Sequence, residues 1–172
     1  MTTDDLLLRQ HAAAERFAST RPAIIERAPW PLADRFDDAP EAEWGPPEVL
    51  AHVAEMIPFW QGEIERIVAG VEAGVVQPIP FGRVSTDAVR LAVLERDRSL
   101  PPTELFDRIA AFGERFERRL ATLSAAEYGC VGLHPRLGEM TVEAIVGRFV
   151  TGHMADHAVQ LETILGLGPM ES

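Results

Sequence analysis

An apolar residue returns every three or four positions through four long stretches of this chain, and proline and glycine separate them. The clearest stretch follows Pro46-Pro47, where Val49, Val53, Ile57, Trp60, Ile64, Ile67 and Val71 mark an amphipathic helix of about seven turns. Proline suits a first helical turn because its missing N–H would have had no partner there. Pro58 removes the bond to the Ala54 carbonyl, so a kink between Ala54 and Pro58 is expected, not two helices.

The first stretch, about Asp4 to Arg27, carries Leu7, Leu8, His11, Ala14, Ala18 and Ile25. A third begins at Ser99-Leu100-Pro101-Pro102 and carries Leu105, Ile109, Phe112, Phe116, Leu120 and Leu123. Its Arg108, Glu114, Arg115, Glu117, Arg118 and Arg119 read as a solvated face laced by pairs four apart. The fourth starts at Thr141, whose hydroxyl can cap it, and runs to Leu165 with Gly166 as the stop. Its inner face reads Val142, Ile145, Val146, Phe149, His153, His157, Leu161 and Ile164. A shorter helix is expected over about Asp87 to Arg98, with loops at Ala73–Thr86 and Ser124–Met140. No stretch alternates convincingly at period two. The expected fold is an all-α four-helix bundle with an additional short helix.

At about 150 residues per domain, 172 residues read as a single domain over 1–172. All 16 basic residues are Arg, and 27 acidic ones bring the net charge to −11. Nucleic acids and anionic membrane surfaces need a surplus of cations, so neither is an expected partner. One cysteine, Cys130, allows no internal disulfide and no zinc site built on several thiolates. The N-terminus Met1-Thr2-Thr3-Asp4-Asp5 carries acid where a signal peptide carries base, which with the lone cysteine points to a cytoplasmic protein.

Two of the five histidines interrupt an apolar stripe. His153 and His157 stand one turn apart, so both rings project from one face and can reach a single ion at about 2.1 Å. Buried imidazoles need partners, either a metal ion or hydrogen bonds from a neighbouring helix. His52, flanking the stripe of the second helix, is the candidate third ligand. No fourth protein ligand is evident, which describes a site open to water or substrate. Met154 follows His153, so the HExxH metalloprotease motif is absent. His11 reads as a packing histidine, His134 as a turn element before Pro135, and Cys130 as lacking an activating neighbour.

Three segments now acquire meaning together. Pro47-Glu48-Val49-Leu50-Ala51-His52-Val53-Ala54-Glu55 resembles the start of the second helix in the DinB/YfiT-like family. His134-Pro135-Arg136-Leu137-Gly138-Glu139-Met140-Thr141 resembles the loop before its last helix. Gly152-His153-Met154-Ala155-Asp156-His157-Ala158-Val159-Gln160-Leu161 resembles that metal-binding helix. The likeness extends over about residues 5 to 165, in family order.

The resemblance implies a four-helix bundle, commonly a homodimer, with a divalent metal (zinc or nickel) on His52, His153 and His157. It also implies a small-molecule substrate and, in related branches, transfer of a metal-activated low-molecular-weight thiol such as bacillithiol or mycothiol to an electrophile. A metal-dependent hydrolase of a small amide or ester is the alternative, as is a stress-related bundle that binds a metal or small ligand without turnover. Glu55, Asp156 and Gln160 are candidates to accept the second N–H of a ligating imidazole and fix its tautomer. Phe59 and Trp60 read as core. Pro78–Arg83 reads as a solvated loop; the alternative is a cover over the cavity, with Arg83 holding an anionic substrate.

Overall fold

The computed structural model describes residues 3–34, 37 and 40–167, so Met1, Thr2 and the last residues of the expected 1–172 domain lie outside the described residues. The first helical stretch divides at Thr20 into α1 (Thr3–Ser19) and α2 (Arg21–Glu26), where Pro22 enters the first turn of a new helix. A short 3-10 turn, Glu41–Glu43, leads into α3 (Pro46–Glu72), which continues through Pro58 as one helix. The chain then forms α4 (Ala88–Asp97), capped by the Asp87 carboxylate on the Arg90 N–H at 2.9 Å, and α5 (Pro102–Leu120). After α6 (Ala125–Tyr128) comes α7 (Val142–Ile145), whose first turn is capped by the Thr141 hydroxyl. A π-helical stretch, Val146–Gly152, joins α7 to α8 (His153–Leu165). Gly166 ends α8 with φ +69°, the left-handed conformation glycine adopts without a Cβ penalty.

The protein is mostly helical. α3 packs on α5, α1 packs on both α5 and α8, and the π-helical stretch lies against α1 and α3. Leu6, Phe17, Ile57, Ile64, Phe116, Val150 and Leu161 meet in the shared core. No helix among the described residues is long and apolar enough to cross a membrane.

The two expected loops contain a small sheet, which corrects the all-α reading. β1 (Ile79–Pro80) runs parallel to β2 (Val131–His134), and β2 pairs antiparallel with β3 (Gly138–Thr141) in the register Val131↔Thr141 to His134↔Gly138. Strands of two to four residues are too short to display a period of two, so the pattern could not reveal them.

The buried stripe of the first stretch is also one residue away from the expected one. It runs Leu6, Gln10, Ala13, Phe17, Thr20 and Ile24, while Leu8 and His11 face outward. Gln10 and Thr20 disguise the period because they are polar. The Gln10 Oε1 accepts from the Thr151 hydroxyl at 2.8 Å, although the Gln10 Nε2 is without a partner among the described residues, and the Thr20 hydroxyl donates to the Phe17 carbonyl. His11 is no packing histidine: it is exposed, between Glu15 and Glu117.

Candidate metal centre

The π-helical stretch immediately precedes His153. One additional residue in a turn rotates everything after it by about 100° around the helix axis. The buried face is accordingly displaced from the expected stripe: Val146, Val150, Met154, His157, Ala158, Leu161 and Leu165 are buried, whereas Phe149 is half-buried and Ile164 is exposed. His153 is left half-buried, between core and solvent, one turn before buried His157. From α3, His52 enters from the opposite side and is 5% exposed.

The three rings meet at their Nε2 atoms. His153 Nε2 lies 2.9 Å from His52 Nε2, 3.1 Å from His157 Nε2 and 3.3 Å from the Glu41 carboxylate. All four candidate ligand atoms fall within 4.8 Å of one another. Glu41 is the member that the sequence did not suggest. It sits in the 3-10 turn before α3, more than a hundred residues from His153, and nothing in its local pattern distinguishes it from its acidic neighbours.

Gln160 settles the proton position on His157. Its Nε2 donates to the carbonyls of Glu41 (2.8 Å) and Trp44 (3.0 Å), which fixes the orientation of the amide. Its Oε1 must then face His157 Nδ1, at 2.8 Å, and accept from it. His157 Nδ1 carries the proton, so His157 Nε2 presents a lone pair to the cluster. Burial, with the neighbouring His153, lowers the pKa of His157 to about 4. Burial, with His157 and His153, holds His52 well below the usual imidazole range. Neutral imidazoles are the form a metal requires.

Hydrogen bonding alone does not satisfy this arrangement. His153 Nε2 can carry one proton, yet two acceptors lie beside it, the lone pair of His157 Nε2 and a Glu41 carboxylate oxygen, with His52 Nε2 also 2.9 Å away. A cation at the common point would serve all of them. Two nitrogens at about 2.1 Å from one ion are about 3.0 Å apart when they subtend a right angle, close to the separations seen. The donor set therefore fits a divalent metal, with His52, His153 and His157 as ligands and Glu41 within reach.

Arg90 borders the cluster on the opposite side. It forms an ion pair with Glu41, donates to the Ser85 carbonyl at 2.9 Å, and has Nη2 at 3.4 Å from His52 Nδ1. Burial opposes the charge on Glu41, but His153 and Arg90 outweigh it and hold the carboxyl below its usual range. Trp44 packs edge-on against His52. A cavity of about 160 Å³ opens beside the cluster, with Met56, Trp60 and Phe149 on its apolar side and Arg83 and Arg90 on its polar side.

Of the three residues considered for holding a ring N–H, only Gln160 contacts a histidine. Glu55 is half-buried in an ion pair with Arg83, and Asp156 is exposed, without a hydrogen bond to a histidine among the described residues. Trp60 is both core and cavity wall, stacked on Phe149 at 4.2 Å. The Pro78–Arg83 segment is not a solvated loop, since Ile79 and Phe81 are buried and Arg83 lines the cavity. His134 does act in a turn: its Nδ1 accepts from the N–H groups of Arg136 and Leu137. Cys130 is buried against the Ala126 carbonyl, and burial, with Glu127 and Glu72 nearby, pushes its thiol pKa up.

No curated protein and no solved structure matches the chain. A family profile does, over residues 2–161, which includes α3, the cluster and the first two-thirds of α8. The chain belongs to the DinB superfamily.

Proposed function

We propose that the protein is a metal-dependent S-transferase, joining a low-molecular-weight thiol to a small electrophile at the His52–His153–His157 cluster. The convergence of three Nε2 atoms at the edge of a part-apolar cavity supports this reading. A divalent cation bound there, zinc or nickel, would supply Lewis acidity and lower the pKa of a thiol that reaches it.

The surrounding residues have definable tasks. Gln160 keeps His157 in the tautomer that presents Nε2. Glu41 is placed to take the thiol proton and pass it to solvent. Met56, Trp60 and Phe149 line one side of the cavity with apolar groups that exclude water and receive the electrophile. The thiol sulfur forms the new C–S bond, the leaving group departs with its electron pair, and the proton passes through Glu41. In this reading the four long helical segments are the four-helix bundle of the family, working as a homodimer on small molecules; a sedimentation mass of one chain would remove the dimer.

The test is conjugation of bacillithiol or mycothiol to monobromobimane or chlorodinitrobenzene by zinc- or nickel-loaded protein. The expected result is metal-dependent acceleration that is lost in His153→Ala. Failure of every thiol tested to stimulate conjugation would overturn the proposal. Glu41 also favours a second reading, since a carboxylate beside the cluster can take a proton from water during hydrolysis of a small amide or ester. Thiol-independent release of acid from an aryl ester would select that reading. Bound metal without turnover in either assay would select a non-catalytic binding bundle.

A further inference from the structure

We propose that the cavity beside the histidines receives a ligand bearing a single carboxylate, which Arg83 holds while its apolar body lies against the lining of Met56, Trp60 and Phe149. This rests on the reading of that cavity as the substrate pocket of the metal centre.

Arg83 is fixed from several directions. Its Nη2 donates to both carboxylate oxygens of Glu55, and the pair is part-buried, with 13% and 9% of the two side chains exposed. The guanidinium carbon lies 3.7 Å from the centroid of the Phe59 ring, a cation–π contact that holds its plane. The backbone leading to it is tied down as well. The Pro80 carbonyl accepts from Arg66, the Phe81 N–H donates to the Leu133 carbonyl at 3.1 Å, and the Gly82 N–H donates to Glu63. Behind Gly82 stands the His134 ring, so close that a Cβ on residue 82 would lie 2.6 Å from its Cδ2.

That placement leaves donors unused. Only Nη2 of Arg83 has a protein partner among the described residues, so Nε and Nη1 are available to a group in the cavity. Arg90 is different: its Nη1 serves the Ser85 carbonyl and its Nη2 serves Glu41. Both arginines are already matched by a glutamate, so the cavity provides donors without a large surplus of positive charge. A monoanion suits that balance better than a phosphate dianion, which needs several cations around it. The apolar part is bounded too. A volume of about 160 Å³ is close to the ~150 Å³ of a cavity that holds benzene, and Met56, Trp60 and Phe149 form its apolar lining.

Benzoate and its neutral isostere benzamide are the probes, titrated calorimetrically into metal-free and zinc-loaded protein, with phenyl phosphate as the dianion. Benzoate is expected to bind both forms at least tenfold more tightly than benzamide. The double variant Arg83→Gln/Glu55→Gln, which removes the fork without stranding a part-buried carboxylate, should lose that preference while its zinc content stays at the wild-type level. Three results would overturn the proposal: equal binding of benzoate and benzamide, a preference that survives in the double variant, or tighter binding of phenyl phosphate. Benzoate binding only to the zinc-loaded form would also overturn it, since the cation would then be the anchor, and would leave the metal reading intact. Wild-type protein that takes up no zinc yet prefers benzoate would remove the metal reading and support this one.

Discussion

Gln160 accepts a hydrogen bond from His157 Nδ1 at 2.8 Å, and its amide nitrogen is held by two backbone carbonyls, so the tautomer of His157 is set by a residue that does not itself face the metal position. The same amide ties the turn carrying Glu41 to α8.

Gln160→Ala should therefore weaken metal binding without removing a ligand. The expected loss is about 10- to 100-fold in affinity, read by competition with a chromogenic chelator. Unchanged affinity would mean that the histidine needs no such support.

Glu41→Gln addresses the residue that sequence periodicity could not identify. The substitution removes a candidate oxygen ligand and leaves Arg90 without its counter-charge beside His52. Metal affinity should fall by about tenfold or more, the scale for partners of a metal site, with the far-ultraviolet spectrum of the fold unchanged. Wild-type affinity in this variant would exclude Glu41 from the site.

The pH dependence of the metal-free protein follows from the buried rings. His157 stays neutral in the folded chain down to about pH 4, whereas an unfolded histidine takes its proton near 6.5. Between those values the unfolded state binds more protons, so the His157 contribution to stability falls as pH drops from about 6.5 to about 4 and is fully lost below. The loss from His157 reaches about 3 kcal/mol at most, and His52 acts in the same direction. Urea unfolding in the presence of chelator should give a lower midpoint near pH 5 than near pH 7.5; equal midpoints would contradict the buried neutral state.

Gly82 combines φ +80° with the close approach of His134. Gly82→Ala should destabilise the protein by about 1–3 kcal/mol in denaturant unfolding, since an L-residue there is strained in backbone and has no room for its Cβ. A midpoint equal to wild type would show that the segment before Arg83 can move aside.

How much of this was legible in the sequence depended on whether a residue's role lay in a local period. His52, His153 and His157 stood out because they occupy or flank apolar stripes on long helices, and Thr141 and Gly166 marked the ends of the last helical run. The four long stretches were legible for the same reason. Gln10 and Thr20 hid the register of the first one, because their burial depends on hydrogen-bond partners no local pattern reveals. The π-helical stretch was invisible because an inserted residue breaks the period that would detect it. Glu41 and Arg90 come together only when a loop and a short helix fold over α3, a tertiary event without a local signature.

Metal analysis of purified wild-type protein beside His153→Ala tests the central claim most directly. The account predicts about one divalent ion per chain in the wild type, consistent with a single three-histidine site, and none in the variant. Equal metal content in the two proteins would contradict it.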